Sequence, residues 1–279
     1  MRRRHAPVFG SAWTRTAAAT LLVAIVPAAI RAEQGSGAPS AAATAHKAAA
    51  DRFEALAKDA EVTGRMPRRG DLGVANLLDT LADAVGIYGT PKFPARLAEI
   101  GVCLDVRKAL VRYSLHGLRA ELPPSTTSAE SAQAVRAGSA RNIVAYQDEI
   151  AQLAEFDTRC RATLTPELEA VVATHAPQET TTERRDGLRK LRIAIGDVAA
   201  GEVLQLGTAG LQPDNRDRLL AVMLTHLPVS VRAMTHDERR ALARRLVDVK
   251  ASAPSTSGSK IDALVGILSS TDCAALCRF

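Results

Sequence analysis

Helical periodicity runs through nearly the whole chain, and no stretch alternates convincingly between apolar and polar residues with period two. Roughly a fifth of the residues are Ala, the strongest helix former, which reinforces the pattern. Such a chain can bury its apolar stripes only helix against helix. The expected fold is all-α, an irregular multi-helix bundle of about eight helices stabilised by disulfides.

Punctuation residues divide the pattern. A lead rich in Gly, Ser and Ala over 33–40 reads as disordered, and a helical domain then spans 41–250. Its first helix runs over 41–62 and stops at Gly64. The basic loop Arg65-Met66-Pro67-Arg68-Arg69-Gly70 follows, and Asp71 is placed to cap a helix with the stripe Val74, Leu77, Leu81, Val85 and Tyr88. Gly89 to Pro94 turns the chain into a helix over 94–121, whose stripes include Leu97, Ile100, Cys103, Leu104, Val106, Leu110, Tyr113 and Leu118. Pro123 to Ser128 ends it. A helix over 129–163 carries Ile143, Tyr146, Ile150, Leu153, Cys160 and Leu164 at three-four spacing, the seam of an antiparallel partner.

Five more helices complete the pattern. Thr165-Pro166-Glu167 reads as the start of a short helix to His175, since proline is tolerated in the first turn. Thr180-Thr181-Thr182-Glu183 and Thr235-His236-Asp237-Glu238 match capping boxes. Pro213-Asp214 opens the helix between them, and Pro228 reads as its end. Residues 251–259 have the composition of a flexible linker, leading to a C-terminal helix and cysteine tail over 260–279.

Residues 1–32 read as a secretory signal peptide: Arg2, Arg3, Arg4 and Arg15 precede the apolar run Ala17 to Val26, and Ile30-Arg31-Ala32 offers a cleavage site ahead of Glu33. The alternative is an uncleaved anchor. Against it, Thr16 to Ile30 contains Pro27 and falls short of the roughly 20 residues a spanning helix needs. The segment also explains the charge. The chain has 36 Lys and Arg against 30 Asp and Glu, and five of those Arg lie in 1–32 with no acidic residue beside them. The remainder is almost neutral, so nucleic acid is not an expected partner. A periplasmic or secreted location is expected.

Export changes the reading of Cys103, Cys160, Cys273 and Cys277, which in an oxidising compartment are disulfide partners rather than ligands or nucleophiles. Of three possible pairings, Cys103–Cys160 is favoured because both lie on or beside apolar faces of neighbouring helices. Cys273–Cys277 is then left as the second pair, which requires a distorted, non-helical tail.

Candidate chemistry is sparse. His46, His116, His175, His226 and His236 show no metal-ligand spacing, and no phosphate-binding glycine loop or GxSxG elbow is present. No metal and no cofactor is expected. Ser257-Gly258-Ser259-Lys260 matches the bare SxxK pattern but lies in the linker without the companion motifs of serine acyltransferases. Asp148-Glu149 and Glu155-Asp157 could act as paired acid and base, though on a helix dense with charge they read as a solvated face. The Arg184–Arg192 and Arg239–Arg245 clusters read as solvated faces or intrahelical pairs, because acidic residues are interspersed. Arg69-Gly70-Asp71 resembles the integrin-binding tripeptide but reads as a loop followed by a cap.

Three function classes remain. The first is a non-enzymatic exported protein that binds or scaffolds an envelope partner. The second is a carrier of an apolar ligand held between helices. The third is an enzyme whose site assembles only in three dimensions, which His116, His175 or His226 beside a carboxylate in a cleft would favour.

Overall fold

The computed structural model describes residues 41–82, 95–118, 128–174 and 180–279. The expected signal peptide, the lead over 33–40, Val85, Tyr88, the turn over 89–94, the Pro123-Pro124 loop and His175 lie outside the described residues. Within them the chain is all-α, without strands: α1 (Ala41–Thr63), α2 (Val74–Leu81), α3 (Ala95–Ser114), α4 (Ser128–Ala145), α5 (Gln147–Ala173), α6 (Thr182–Leu206), α7 (Pro213–Val231), α8 (His236–Ser252) and α9 (Gly258–Leu268). Single turns of 3₁₀ helix occupy Ser255–Ser257 and Leu276–Arg278.

Helix α5 is the hub. It packs against α3 on one side and α7 on the other, and its residues from Glu149 to Thr158 are buried all round except at Glu155. The disulfide between Cys103 of α3 and Cys160 of α5 ties the first of these packings, with Cα atoms 5.9 Å apart. Phe53 of α1, Tyr113 of α3 and Tyr146 at the α4–α5 junction stack in a chain with ring centroids 5.6 and 5.4 Å apart. Beyond α5, the apolar faces of α7, α8 and α9 close around Leu220, Met223, Leu246, Ile261 and Leu264, all fully buried.

Several boundaries differ from the sequence reading for physical reasons. The helix expected over 94–121 stops at Ser114, where Gly117 takes φ +76° and Asn142 Nδ2 donates to the carbonyls of Ser114 (3.2 Å) and His116 (2.9 Å). Those contacts satisfy carbonyl groups that a helix end leaves without partners. The helix expected over 129–163 is broken at Tyr146 (φ −125°, ψ 36°), where neither Gly nor Pro marks it. The same residue contributes its ring to the aromatic chain and its hydroxyl to Met66 N at 3.1 Å.

Both interior prolines are carried through rather than obeyed. Pro166 lies inside α5 and Pro228 inside α7, and each helix continues beyond, to Ala173 and Val231. Proline removes one backbone bond in such a position, at a cost of about 3 kcal/mol in isolation. The buried residues that follow, Val172 in α5 and Ser230 and Val231 in α7, show packing overriding that cost. Capping also shifts locally. Thr181, not Thr180, caps α6, its hydroxyl accepting from Arg184 N, while the Thr235–Glu238 box forms with both reciprocal bonds. Asp71 caps no helix; Gly73 occupies the cap position of α2, and Asp71 braces the preceding loop.

The stretch 251–259, expected as a flexible linker, is largely helical. Helix α8 reaches Ser252, a 3₁₀ turn follows, and α9 begins at Gly258. Ser257 is buried, and Lys250 Nζ bridges the segment to Asp262 at 2.6 Å. Ile261, Leu264, Leu268 and Leu276 join the same apolar core as α5 and α7. The tail over 260–279 therefore completes that core.

Candidate functional site

From Glu149 to Thr158 helix α5 is buried except at half-buried Glu155, so Glu149 and Asp157 depart from the expected solvated face while Asp148 remains exposed. Glu149 is buried and accepts from Arg69 N of the loop between α1 and α2. Asp157, 7% exposed, pairs with Arg107 of α3 at 2.9 Å. Glu155 pairs with Arg159 of its own helix and Arg218 of α7, and Asp148 accepts from Asn215 Nδ2 at 2.7 Å. All four bind neighbouring elements to α5.

Beside Asp157 lies the most unusual electrostatic feature of the described residues. Glu202 of α6 is 3% exposed and pairs with Arg161 of α5, itself almost wholly buried. Thr158 Oγ1 donates to the same carboxylate oxygen, Oε1. Among the described residues Glu202 Oε2 has no hydrogen-bond partner, nor does the buried Gln205 Oε1 one turn along α6. Both residues line a cavity of about 60 Å³ walled also by Arg107, Asp157, Ser114 and Ser139. A water molecule occupies about 30 Å³ of liquid, so the space suits water-sized guests that donate hydrogen bonds.

Burial pushes the Glu202 carboxyl above its ordinary value, and the attraction of Arg161 only partly opposes the shift. The folded chain therefore holds a proton on Glu202 at pH values where the unfolded chain has released it. Stability from this group is present below the ordinary value of 4.5 and is lost as pH rises through the raised value. Unfolding followed by circular dichroism from pH 4.5 upward should show a steeper loss of stability in the native chain than in Glu202→Gln. Equal slopes would contradict a proton on this carboxyl.

Gly201 also lines the cavity, and no atom lies within 4 Å of where its Cβ would stand. Glycine within a helix costs about 0.5–1 kcal/mol relative to alanine. Gly201→Ala should therefore raise Tm by about 2 °C in a chain of this size. A fall in Tm would mean that the methyl displaces an ordered guest.

The other sequence candidates are dispersed. His46 is buried with Nε2 3.7 Å from Asp105 Oδ2, and the pair links α1 to α3. His116 meets the edge of Tyr146 with ring centroids 6.3 Å apart. His226 is half-buried, its pKa held down first by burial and then by Arg159 and Arg161. His236 is exposed in the first turn of α8. Among the described residues no group of three or more His, Cys, Asp or Glu is placed to hold a metal ion.

Lys260 of the SxxK pattern pairs with Asp217 at 3.0 Å, while Ser257 is buried in its 3₁₀ turn. Arg192 and Arg239, expected on solvated faces, are buried: Arg192 pairs with Glu238 of α8, and Arg239 donates to the carbonyl of Ser270. The tripeptide Arg69-Gly70-Asp71 is likewise spent internally. Arg69 binds Asp79 and Gln152, and Asp71 accepts from Arg65 (2.9 Å) and Arg68 N (2.7 Å).

Sequence reasoning passed over Glu202, Gln205, Arg107 and Arg161 because each stands singly in an ordinary helical pattern. The one available signal was Glu202 standing among the apolar residues Ala199, Val203 and Leu206. No protein-family model, curated protein or solved structure matches the chain.

Proposed function

We propose that the chain is an exported, non-enzymatic helical protein that binds an envelope partner through its surface. The supporting observation is the loop over 64–73, braced from one side and bare on the other. Met66 N donates to Tyr146 Oη, Tyr113 Oη donates to the Pro67 carbonyl at 2.7 Å, and Arg69 N donates to Glu149. So anchored, the loop holds Leu72 100% exposed next to Asp71, with Arg65 and Arg68 exposed in the same loop. The proposal rests on this braced loop, which presents a fully exposed apolar side chain beside charged ones.

Export is supported by the signal pattern over 1–32 and by four cysteines joined in two disulfides. No helix among the described residues is long and apolar enough to cross a membrane. The carrier reading gains nothing from the cavity at Glu202: most of its lining is apolar, but about 60 Å³ holds water-sized guests and not a lipid-sized ligand. For the enzyme reading, Asp157 and Glu202 do approach one cavity, but each is already paired with a guanidinium.

A photo-crosslinking residue at Leu72 in the exporting cell tests the proposal, with one at exposed Val247 of α8 as the control. One discrete adduct from position 72 and none from 247 is expected. No adduct, or the same diffuse pattern from both positions, would overturn it.

A further inference from the structure

The two disulfides sit in opposite surroundings. Cys103 and Cys160 are both buried, whereas Cys273 is exposed and Cys277 half-buried, on a tail at the end of the chain. They also differ in what they close. The entropy a cross-link removes grows with the logarithm of the loop it spans, so a separation of 4 residues restrains far less chain than one of 57.

The tail is moreover held by contacts other than its disulfide. Glu169 Oε2 of α5 accepts from Leu276 N at 2.9 Å, and the same carboxylate accepts from Ala275 N. Ala274 N donates to the Arg232 carbonyl at 2.9 Å, and Arg239 donates to the Ser270 carbonyl. The Leu276 side chain is fully buried in the core. These anchors lie both between the two cysteines and ahead of them. Opening the bond would leave two thiols on a docked platform, one facing solvent. Exposure at Cys273 leaves this cross-link open to attack by a thiolate, and exposed disulfides are the labile kind.

We infer that Cys273–Cys277 is a thiol–disulfide exchange site whose substrate is a peptide or protein dithiol. The partner's thiolate attacks the exposed Cys273 Sγ. The Cys273–Cys277 bond breaks, and Cys277 leaves as the thiolate. The partner's second thiol, deprotonated, then attacks its own sulfur in the mixed disulfide and releases Cys273 as a thiolate. The partner is oxidised to a disulfide, Cys273 and Cys277 are reduced to two thiols, and two electrons pass to this chain.

The test uses the full oxidised chain and a synthetic peptide dithiol of the form Cys-x-x-Cys. One equivalent of peptide disulfide per chain is expected, with new thiols mapped by alkylation to Cys273 and Cys277 only. Amide exchange at Leu276 should stay protected after reduction. Among single-cysteine variants, Cys277→Ser should take up glutathione from its disulfide at least 10-fold faster than Cys273→Ser. Three results would overturn the inference: thiols appearing at both disulfides together, loss of protection at Leu276 on reduction, or equal rates for the two variants.

Discussion

Replacing Arg161 with methionine is expected to lower the free energy of unfolding by about 3 kcal/mol. Arg161 of α5 is the charged partner of Glu202 of α6, and both side chains are almost wholly removed from solvent. Losing the guanidinium strands a buried carboxyl. The loss falls at the low end of the roughly 3–5 kcal/mol seen for broken buried pairs, because this carboxyl can take up a proton instead of remaining charged. Replacing the pair together, Arg161→Met with Glu202→Leu, should recover most of that stability, since two apolar side chains of similar volume carry no desolvation cost. Urea titrations of the two single variants and the double variant give the cycle directly. A double variant as unstable as the sum of the singles would mean that the two charges are not coupled.

The second large effect is at the buried disulfide. Cys103→Ser with Cys160→Ser should lower stability by about 4 kcal/mol in the chain-entropy treatment, and Tm by about 8–16 °C. Both sulfurs lie inside the apolar core, so two hydroxyls placed there add a polar burial cost rather than relieving one. The matching change at Cys273 and Cys277 should move Tm much less, because it releases a separation of only 4 residues in an exposed tail. Thermal unfolding by calorimetry distinguishes the two. Equal losses would show that the tail disulfide carries the fold.

What could be read in the sequence was what local chemistry decides. The period of the apolar stripes sets an all-α fold regardless of neighbours, and end signals with a local mechanism appear where the chain places them. Gly64 ends α1 at φ +76°, Pro213 opens α7, and the Thr235–Glu238 box caps α8. Where tertiary packing competed with a local signal, packing won. Pro166 and Pro228 are strong helix breakers in isolation, yet the buried faces of α5 and α7 carry both helices through them. The break at Tyr146 had no local signal, since it follows from a ring and a hydroxyl that reach Tyr113 and Met66.

The candidate site was hidden for the same reason. A stripe of apolar residues on one helix implies a solvated face opposite, and for the middle of α5 that implication fails because α3 and α7 pack on it from two sides. Asp157 thereby turns from a surface charge into the partner of Arg107, next to Glu202. Nothing within a few residues of Glu202 announces Arg161, which is 41 positions away.

Export of this helical protein is proposed, with its four cysteines forming one buried and one exposed cross-link. Its most direct test is the intact mass of the exported chain, before and after reduction and alkylation, with peptide mapping of the cross-links. A chain beginning at Glu33 is expected, with no thiol free before reduction and the two linked pairs Cys103–Cys160 and Cys273–Cys277. An uncleaved mass, free thiols at any of the four positions, or a link between Cys160 and the tail would contradict it.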